Sequence, residues 1–175
     1  MVNIAFCDLT HTGRVVSANY FPLGVAYIAA MAKKYFADRM TVDIFKYPES
    51  FSDYLKHTTP NIVCFSNYMW NKNLQLAYAK AIKDNHLDTI TIFGGPNYPT
   101  NRDEQFEFLT NNRQIDFYID GEAELAFVEL IQTIKKYDFD FKQLKSDQIK
   151  IANTHYLSNE TLICGELMPR IVNVE

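Results

Sequence analysis

The sequence contains few of the residues from which many functional sites are built. It has three cysteines, Cys7, Cys64 and Cys164, and no CxxC pair, which excludes a zinc or iron–sulfur site encoded in this chain. An odd and small number of cysteines is also typical of a protein from a reducing compartment. Cys7 and Cys64 lie in apolar runs, so we expect them to be small buried side chains.

Positive charge and long apolar runs are also scarce. The chain has 17 basic and 21 acidic residues, a net charge of −4, and no basic cluster beyond pairs. We therefore expect neither a nucleic-acid partner nor an anionic membrane surface. No apolar run approaches the roughly 18 residues of a membrane span, and the N-terminus lacks the pattern of a signal peptide. These absences predict a cytoplasmic protein.

Motifs for catalysis and phosphate binding are absent as well. Neither GxGxxG nor GxxxxGK[ST] occurs, so the usual phosphate-binding loops are missing. No Ser-His-Asp set, Cys-His set or metal-ligand spacing can be assembled from the sequence. We therefore do not expect this chain alone to be catalytic.

What the sequence does contain is a regular alternation of apolar runs and helical patterns. The runs predict strands at about 3–8, 41–46, 61–66, 89–94 and 116–120, and helical patterns lie at 22–36, 49–57, 72–84, 102–110 and 123–137. In the first helical pattern, Leu23, Tyr27 and Ala30 or Met31 fall on one stripe. The alternation predicts a flavodoxin-like or Rossmann-like α/β fold, doubly wound, with five parallel strands in the order 2-1-3-4-5.

The pattern changes after residue 138. Two strand-like pieces, 149–157 and 161–168, are joined by "SNE", which predicts a β-hairpin followed by an extended tail. We therefore divide the chain into an α/β domain at 1–138 and a hairpin and linker at 139–175.

Four loops follow the carboxyl ends of predicted strands, where open parallel sheets bind ligands. They are loop 1 ("CDLTHTGRVVSANYFPLG", 7–24), loop 3 ("SNYMWNKN", 66–73), loop 4 ("GGPNYPTN", 94–101) and loop 5 ("DGEAE", 120–124). Structural explanations stay open for their residues. Asp8 could hydrogen-bond its own loop, His11 could be a surface histidine, and Glu122 could cap a helix. Gly94-Gly95 could be only a turn, and Tyr68 and Trp70 could pack on a neighbouring helix.

These segments together resemble a known family. The features are "DLTHTG" after strand 1, "FPLGVAYIAA" opening helix 1, "PNIVCFSNY", "FGGPNYPT", and "IDFYIDGEAELAFVELI". The chain resembles the N-terminal cobalamin-binding domain of cobalamin-dependent radical S-adenosylmethionine enzymes. The segment "IANTHYLSNETLICGELMPRIVNVE" resembles the hairpin and linker that precede the radical barrel in that family.

The resemblance implies cobalamin as the cofactor and partner of this domain. Its dimethylbenzimidazole tail would run past Ser66 and Gly94-Gly95, loop 1 would lie under or beside the corrin, and Tyr68 and Trp70 would shield the ring. The implied cofactor-binding residues are Asp8, Leu9, Thr10, His11, Thr12, Gly13, Ser66, Asn67, Tyr68, Trp70, Gly94, Gly95, Pro96, Asn97, Gly121, Glu122 and Glu124.

One departure from the wider cobalamin superfamily concerns the cobalt. Many members carry DxHxxG, in which the His binds cobalt, but here the sequence from Asp8 to Gly13 places His11 one position later. We therefore expect no cobalt ligand, and no other metal ligand, from this chain. S-adenosylmethionine and a 4Fe-4S cluster would belong to a radical barrel domain of the same parent chain, whose CxxxCxxC does not occur here.

Three functions remain open at this point. The first is a cobalamin-binding module of a radical enzyme that performs methyl transfer or rearrangement. The second is a degenerate domain that has lost the cofactor and acts as a docking or scaffold module. The third, a flavodoxin-like or nucleotide-binding regulatory domain, is disfavoured by the missing phosphate loop.

Overall fold

The computed structural model describes residues 2–12 and 20–169, and within them seven strands form one sheet. The strands are β1 (Val2–Cys7), β2 (Met40–Phe45), β3 (Ile62–Ser66), β4 (Ile90–Gly94), β5 (Phe117–Ile119), β6 (Thr154–Ser158) and β7 (Thr161–Cys164). Their order is β2-β1-β3-β4-β5-β6-β7, and the first five are parallel. The predicted α/β class and the order 2-1-3-4-5 are confirmed.

The C-terminal hairpin belongs to this sheet and does not stand apart from it. β6 pairs antiparallel with β5, with Tyr118 opposite His155 and Ile119 opposite Thr154, and β7 pairs with β6. The described sheet therefore has seven strands, which are the five expected parallel strands and the two strands of the expected hairpin. The physical reason for this pairing is that β5 would otherwise present an open edge of unpaired backbone groups. Of the expected tail, residues 170–175 lie outside the described residues.

Six α-helices in the described residues connect or follow these strands. They are α1 (Leu23–Phe36), α2 (Pro48–His57), α3 (Lys72–Asn85), α4 (Arg102–Asn111), α5 (Glu124–Lys136) and α6 (Phe141–Ser146), with a 3₁₀ turn at Ala37–Arg39. Local sequence fixes several of their starts. Pro48 occupies the first turn of α2, and the side chain of Asn101 caps α4 by accepting a hydrogen bond from the Glu104 N–H at 2.9 Å.

The helices cover both faces of the sheet with separate cores. Helices α1 and α5 pack on the face formed by Ile4, Phe6 and Ile92, and α2, α3 and α4 pack on the opposite face. On α1 the buried side chains are Val25, Ala29, Ala32 and Phe36. The predicted stripe was wrong, because Leu23 and Tyr27 are 57% and 49% exposed. The small alanines face inward because α1 also packs closely against α5.

Helix α6, which the sequence analysis did not predict, is held to the domain by a buried ionic cluster. The Asp116 carboxylate pairs with Lys83 of α3 and, at 3.4 Å, with Lys145 of α6. Asp116 also accepts a hydrogen bond from the Thr91 N–H at 2.9 Å. Asp116 is buried and both lysine side chains are largely so, which makes this cluster more costly to break than the exposed pairs elsewhere on the surface.

Asn153 joins loop 5 to the segment that follows the hairpin. Its side-chain Nδ2 donates to the Glu122 carbonyl at 2.9 Å, and its Oδ1 accepts from the Met168 N–H at 2.5 Å. Its backbone makes two more hydrogen bonds, one with Asp120 and one with Glu166. The left-handed φ of 53° at Asn153 is one that asparagine tolerates better than most residues. Through Asn153, loop 5 is therefore linked to the segment that follows β7.

No helix in 2–12 or 20–169 has the length and apolar composition needed to cross a membrane.

Candidate functional site at the carboxyl edge of the sheet

An inner cavity lies beyond the carboxyl ends of β3 and β4, on the face covered by α1 and α5. Its deep end is lined by Phe6, Cys64 and Ile92, which align with one another across β1, β3 and β4. Two residues further along, Ser66 aligns with Gly94. This change from large side chains to a small one and a bare backbone opens a cavity of about 210 Å³.

Helix α1 forms one wall of the inner cavity, and loop 5 with the start of α5 forms the other. The wall residues are Gly24, Val25 and Ile28 on one side and Gly121, Glu122, Ala123, Glu124 and Phe127 on the other. Pockets that enclose a drug-sized ligand measure about 300–1,000 Å³. The inner cavity, at about 210 Å³, therefore has room for one part of a large ligand and not for the whole.

The charge of this lining is one-sided. Among the described residues, the lining includes the carboxylates of Glu122 and Glu124 and no lysine, arginine or histidine. A negatively charged group inside the cavity would meet the Glu124 carboxylate and an otherwise mainly apolar lining. The cavity therefore suits an uncharged group.

An outer hollow of about 260 Å³ adjoins the inner cavity and opens toward loop 1. It is lined by Asp8, Phe21, Pro22, Leu23 and Trp70, and it shares Gly24, Val25, Ser66 and Tyr68 with the inner cavity. The two spaces therefore adjoin each other as two parts of one candidate site.

Tyr68 and Trp70 form a stacked pair at this rim. Their ring centroids are 4.6 Å apart and their planes differ by 5°. Trp70 is 63% exposed, so the outer side of the pair presents a flat apolar surface to solvent. Burial, assisted by the nearby Asp8 carboxylate, raises the pKa of Tyr68, so its hydroxyl remains protonated at neutral pH. Tyr68 lies beside helix α1, since a Cβ on Gly24 would be 3.7 Å from its hydroxyl oxygen.

The Ser66 hydroxyl is fully engaged by protein groups. It donates to Asp8 Oδ1 at 2.5 Å and accepts from Asn71 Nδ2 at 3.0 Å and from Gln75 Nε2 at 3.1 Å. A hydroxyl has one proton and two acceptor sites, so its capacity is used up. Asp8, offered above as a loop hydrogen-bonder or a cofactor contact, does hydrogen-bond within the protein and also lines the outer hollow.

Asn71 and Gln75 were not identified from the sequence. Both are fully buried, although each is polar and lies at the start of α3. Gln75 shares a helical stripe with Ala79 and Ile82, which are buried, and this spacing was the available signal. In the described structure Gln75 Oε1 has no hydrogen-bond partner, although its Nε2 also donates to the Cys7 carbonyl at 3.1 Å.

The two glycines of loop 4 differ in the space that a side chain would find at each position. Gly95 has a φ of 123°, and a Cβ there would lie 2.8 Å from the carbonyl oxygen of Asn67. Glycine is therefore required at position 95 by the close approach of loop 3, even though Gly95 also lines the inner cavity. A Cβ on Gly94 would meet only Ile119, at 3.6 Å and beyond. Space beside Gly94 is therefore open toward the cavity.

Three other predicted site residues line neither space, and two of them, Asn67 and Asn97, hold loops 3 and 4 together. Asn67 is buried, and its Nδ2 donates to the Asn97 carbonyl at 2.6 Å and to the Tyr118 hydroxyl at 3.0 Å. Asn97 returns a hydrogen bond to Asn67 Oδ1 at 3.2 Å. Pro96 is exposed beside them.

Four described residues of loop 1 that were expected at the cofactor, Leu9, Thr10, His11 and Thr12, line neither the inner cavity nor the outer hollow. Leu9 is buried in the core of the opposite face, and the Thr10 N–H donates to the Lys46 carbonyl. His11 is exposed. Thr12 donates to Glu49 at 2.7 Å, which lowers the pKa of that carboxyl. Gly13 lies outside the described residues.

Site and topology together define a class, the doubly wound α/β domains whose ligand site lies beyond the carboxyl ends of the strands. A sequence profile described as "B12 binding domain" matches residues 11–131, more than half of the chain. The chain belongs to this B12-binding family, and cobalamin is the cofactor that the family match supports.

Curated relatives are larger proteins. A "2-(S-pantetheinyl)-carbapenam-3-carboxylate methyltransferase" from Streptantibioticus cattleyicolor is 32% identical over 74 residues, which cover 42% of this chain and 10% of the relative. The "Cobalamin-dependent radical SAM methyltransferase TokK" from Streptomyces tokunonensis has the same identity and coverage. The aligned part thus spans about a tenth of the length of these relatives.

Solved structures show a similar fold. The radical enzyme OxsB with aqua-cobalamin bound aligns over 97% of this chain and 23% of that chain, with a TM-score of 0.62 and 13% identity. A second OxsB structure, with aqua-cobalamin and S-adenosylmethionine, has a TM-score of 0.58, 14% identity and the same coverage. Together with the family match, these relatives confirm the resemblance to cobalamin-dependent radical S-adenosylmethionine enzymes.

Proposed function

We propose that this chain is the cobalamin-binding module of a larger cytoplasmic enzyme. A radical barrel domain of the same parent chain, with S-adenosylmethionine and a 4Fe-4S cluster, would carry out methyl transfer or rearrangement. Residues 139–175 would lead from the α/β domain toward that barrel. The aligned relatives, which are much longer than this chain, support the proposal.

The observation that carries the proposal is the inner cavity with its glycine-lined walls. Gly24, Gly94 and Gly121 place no side chain in it, and its deep end is apolar. These features fit the flat, uncharged base at the end of the cobalamin tail. The corrin itself is too large for about 210 Å³ and would lie over the outer hollow and the Tyr68–Trp70 pair.

The residues of this chain would bind and orient the cofactor, whose cobalt would supply the group-transfer chemistry. Asp8, Asn71 and Gln75 fix the Ser66 hydroxyl in one orientation. To donate to a ligand nitrogen, the Ser66 hydroxyl would have to rotate and give up its hydrogen bond to Asp8. Since His11 is exposed and lines neither space, cobalt would receive no histidine from this chain.

A cofactor-free docking module is the second candidate. The observation that favours it is the exposure of Tyr20, Phe21, Leu23, Met69 and Trp70 near the rim, since such side chains often mark a contact surface. A nucleotide-binding module is disfavoured, because neither of the usual phosphate-binding loop motifs occurs in the sequence.

Binding can be tested by mixing the protein with hydroxocobalamin, removing excess by gel filtration and recording the visible spectrum. We expect the cobalamin bands to elute with the protein. The matched control is Gly94→Leu, whose side chain would fill the inner cavity and should abolish co-elution while the apo protein still melts cooperatively. If the unmutated protein elutes without colour, the docking module becomes the better hypothesis.

A further inference from the structure

We propose that the deep end of the inner cavity selects cobalamins by their tail base, accepting dimethylbenzimidazole and rejecting adenine. This inference rests on the proposed function, because it assumes that the tail enters the cavity. It goes further by assigning a specificity to three aligned residues, Phe6, Cys64 and Ile92.

The deep end offers carbon and sulfur atoms to a ligand. Phe6, Cys64 and Ile92 form its base, and Ile28 and Phe127 approach from α1 and α5. All of them except Ile28 are buried, so the surface is shielded from bulk water. A base that reaches this level exchanges its water contacts for apolar ones. The methyl-bearing ring of dimethylbenzimidazole gains from that exchange, since it is itself apolar.

Among the described residues, the buried polar side-chain atoms around Ser66 are already hydrogen-bonded, except for Gln75 Oε1, and Gln75 is not among the residues that line the cavity. The Ser66 hydroxyl has one proton and two acceptor sites, and Asp8, Asn71 and Gln75 occupy all three. The backbone groups of Ser66 and Gly94 lie in paired strands. Glu122 and Glu124 line the cavity where α5 begins, with Glu124 about one helical turn before Phe127.

Adenine would fare worse than dimethylbenzimidazole at this level. It carries an exocyclic amine and ring nitrogens, which are hydrogen-bonded to water in the free cofactor. At the deep end these groups would lose water and find no free partner, and an unpaired buried polar group is costly. We expect the adenine-tailed analogue to bind at least about tenfold more weakly, where tenfold corresponds to about 1.4 kcal/mol.

The test compares three hydroxo-corrinoids by visible titration: cobalamin, the analogue with adenine in place of dimethylbenzimidazole, and cobinamide, which lacks the tail. We expect cobalamin to bind tightest. Equal affinity for cobalamin and the adenine analogue would overturn the inference and leave the proposed function standing. If none of the three binds, the proposed function fails and the inference fails with it.

A matched pair of variants tests whether the selectivity comes from the deep end. Cys64→Ser places a hydroxyl there, which can pair with adenine, and should narrow the preference for cobalamin by about threefold or more. Cys7→Ser is the control, because Cys7 is equally buried on the adjacent strand but faces the opposite core. It should leave the affinity ratio unchanged. Ligand-free melting curves establish that both variants fold, and an unchanged ratio in a folded Cys64→Ser protein contradicts the assignment.

Discussion

Adding one methyl group at Gly94 or at Gly95 should separate cofactor binding from folding. The two glycines are adjacent, yet a Cβ at Gly95 would lie 2.8 Å from the Asn67 carbonyl oxygen, whereas a Cβ at Gly94 would meet only Ile119 at 3.6 Å and beyond. Gly95→Ala therefore strains the junction of loops 3 and 4. Gly94→Ala projects into the inner cavity and leaves the protein's own contacts intact.

The expected magnitudes follow from these contacts. A non-glycine residue forced into positive φ costs about 1–3 kcal/mol, and the clash with Asn67 adds to that. For a chain of 175 residues, 1 kcal/mol corresponds to about 2–4 °C in melting temperature. Gly95→Ala should thus lower the melting temperature by about 5–15 °C. Gly94→Ala should change it by less than about 3 °C but weaken hydroxocobalamin binding by about tenfold, because overpacking a filled site costs about 1–3 kcal/mol.

Differential scanning fluorimetry on the ligand-free proteins and visible titration with hydroxocobalamin measure the two effects separately. The reasoning is refuted if Gly95→Ala melts like the parent. It is equally refuted if Gly94→Ala, folded and stable, binds the cofactor as tightly as the parent does. The first result would show that loop 4 adjusts freely, and the second that no part of the ligand passes Gly94.

Three further predictions concern other parts of the domain. His11→Ala should leave the visible spectrum of the cobalamin complex unchanged, since His11 is exposed; a marked spectral shift would make it a cobalt ligand. Asp116→Asn should lower the free energy of unfolding by about 3–5 kcal/mol in a denaturant titration, because two largely buried lysines lose their partner. The control Asp84→Asn, in an exposed pair, should lower it by less than about 1 kcal/mol. Equal losses for the two variants would contradict this prediction. Burial, with Arg102 nearby, lowers the pKa of His155 from 6.5 to about 4. Because the unfolded chain then takes up the proton at a higher pH than the folded protein, the free energy of unfolding should fall as the pH drops from about 6.5 to 4. His155→Gln should reduce the slope of that fall.

The strands and their order were predictable because their residues carry the signal locally. Runs such as "NIVCFSN" are apolar on both faces, as a strand covered by helices on both sides requires. Once the order is known, the positions of Ser66, Gly94 and Glu122 at one edge follow from topology alone. That is why these loop residues could be named before any coordinates.

The orientation of individual side chains was not predictable in the same way. Helix α1 carries apolar residues on two stripes, and the stripe of small residues through Ala29 and Ala32 is the buried one because α5 lies close by. Asn71 and Gln75 are polar, so the sequence favoured exposed positions for them. Both are buried, and hydrogen bonds to Ser66 satisfy their side-chain amide nitrogens. Thr12 points to Glu49 of α2 and not to the cavity, a choice that depends on a helix distant in sequence.

The attachment of the hairpin has a practical consequence for protein engineering. Asn153 ties the Glu122 carbonyl to the Met168 N–H, and Gly165 packs so tightly against Ile151 that any side chain there would overlap its carbonyl oxygen. A fluorescent fusion or a transplanted copy of this domain that is joined before 168 would cut those links and release one wall of the cavity. The junction for such a chimaera belongs after Met168, where the chain has made its last described hydrogen bond to the domain.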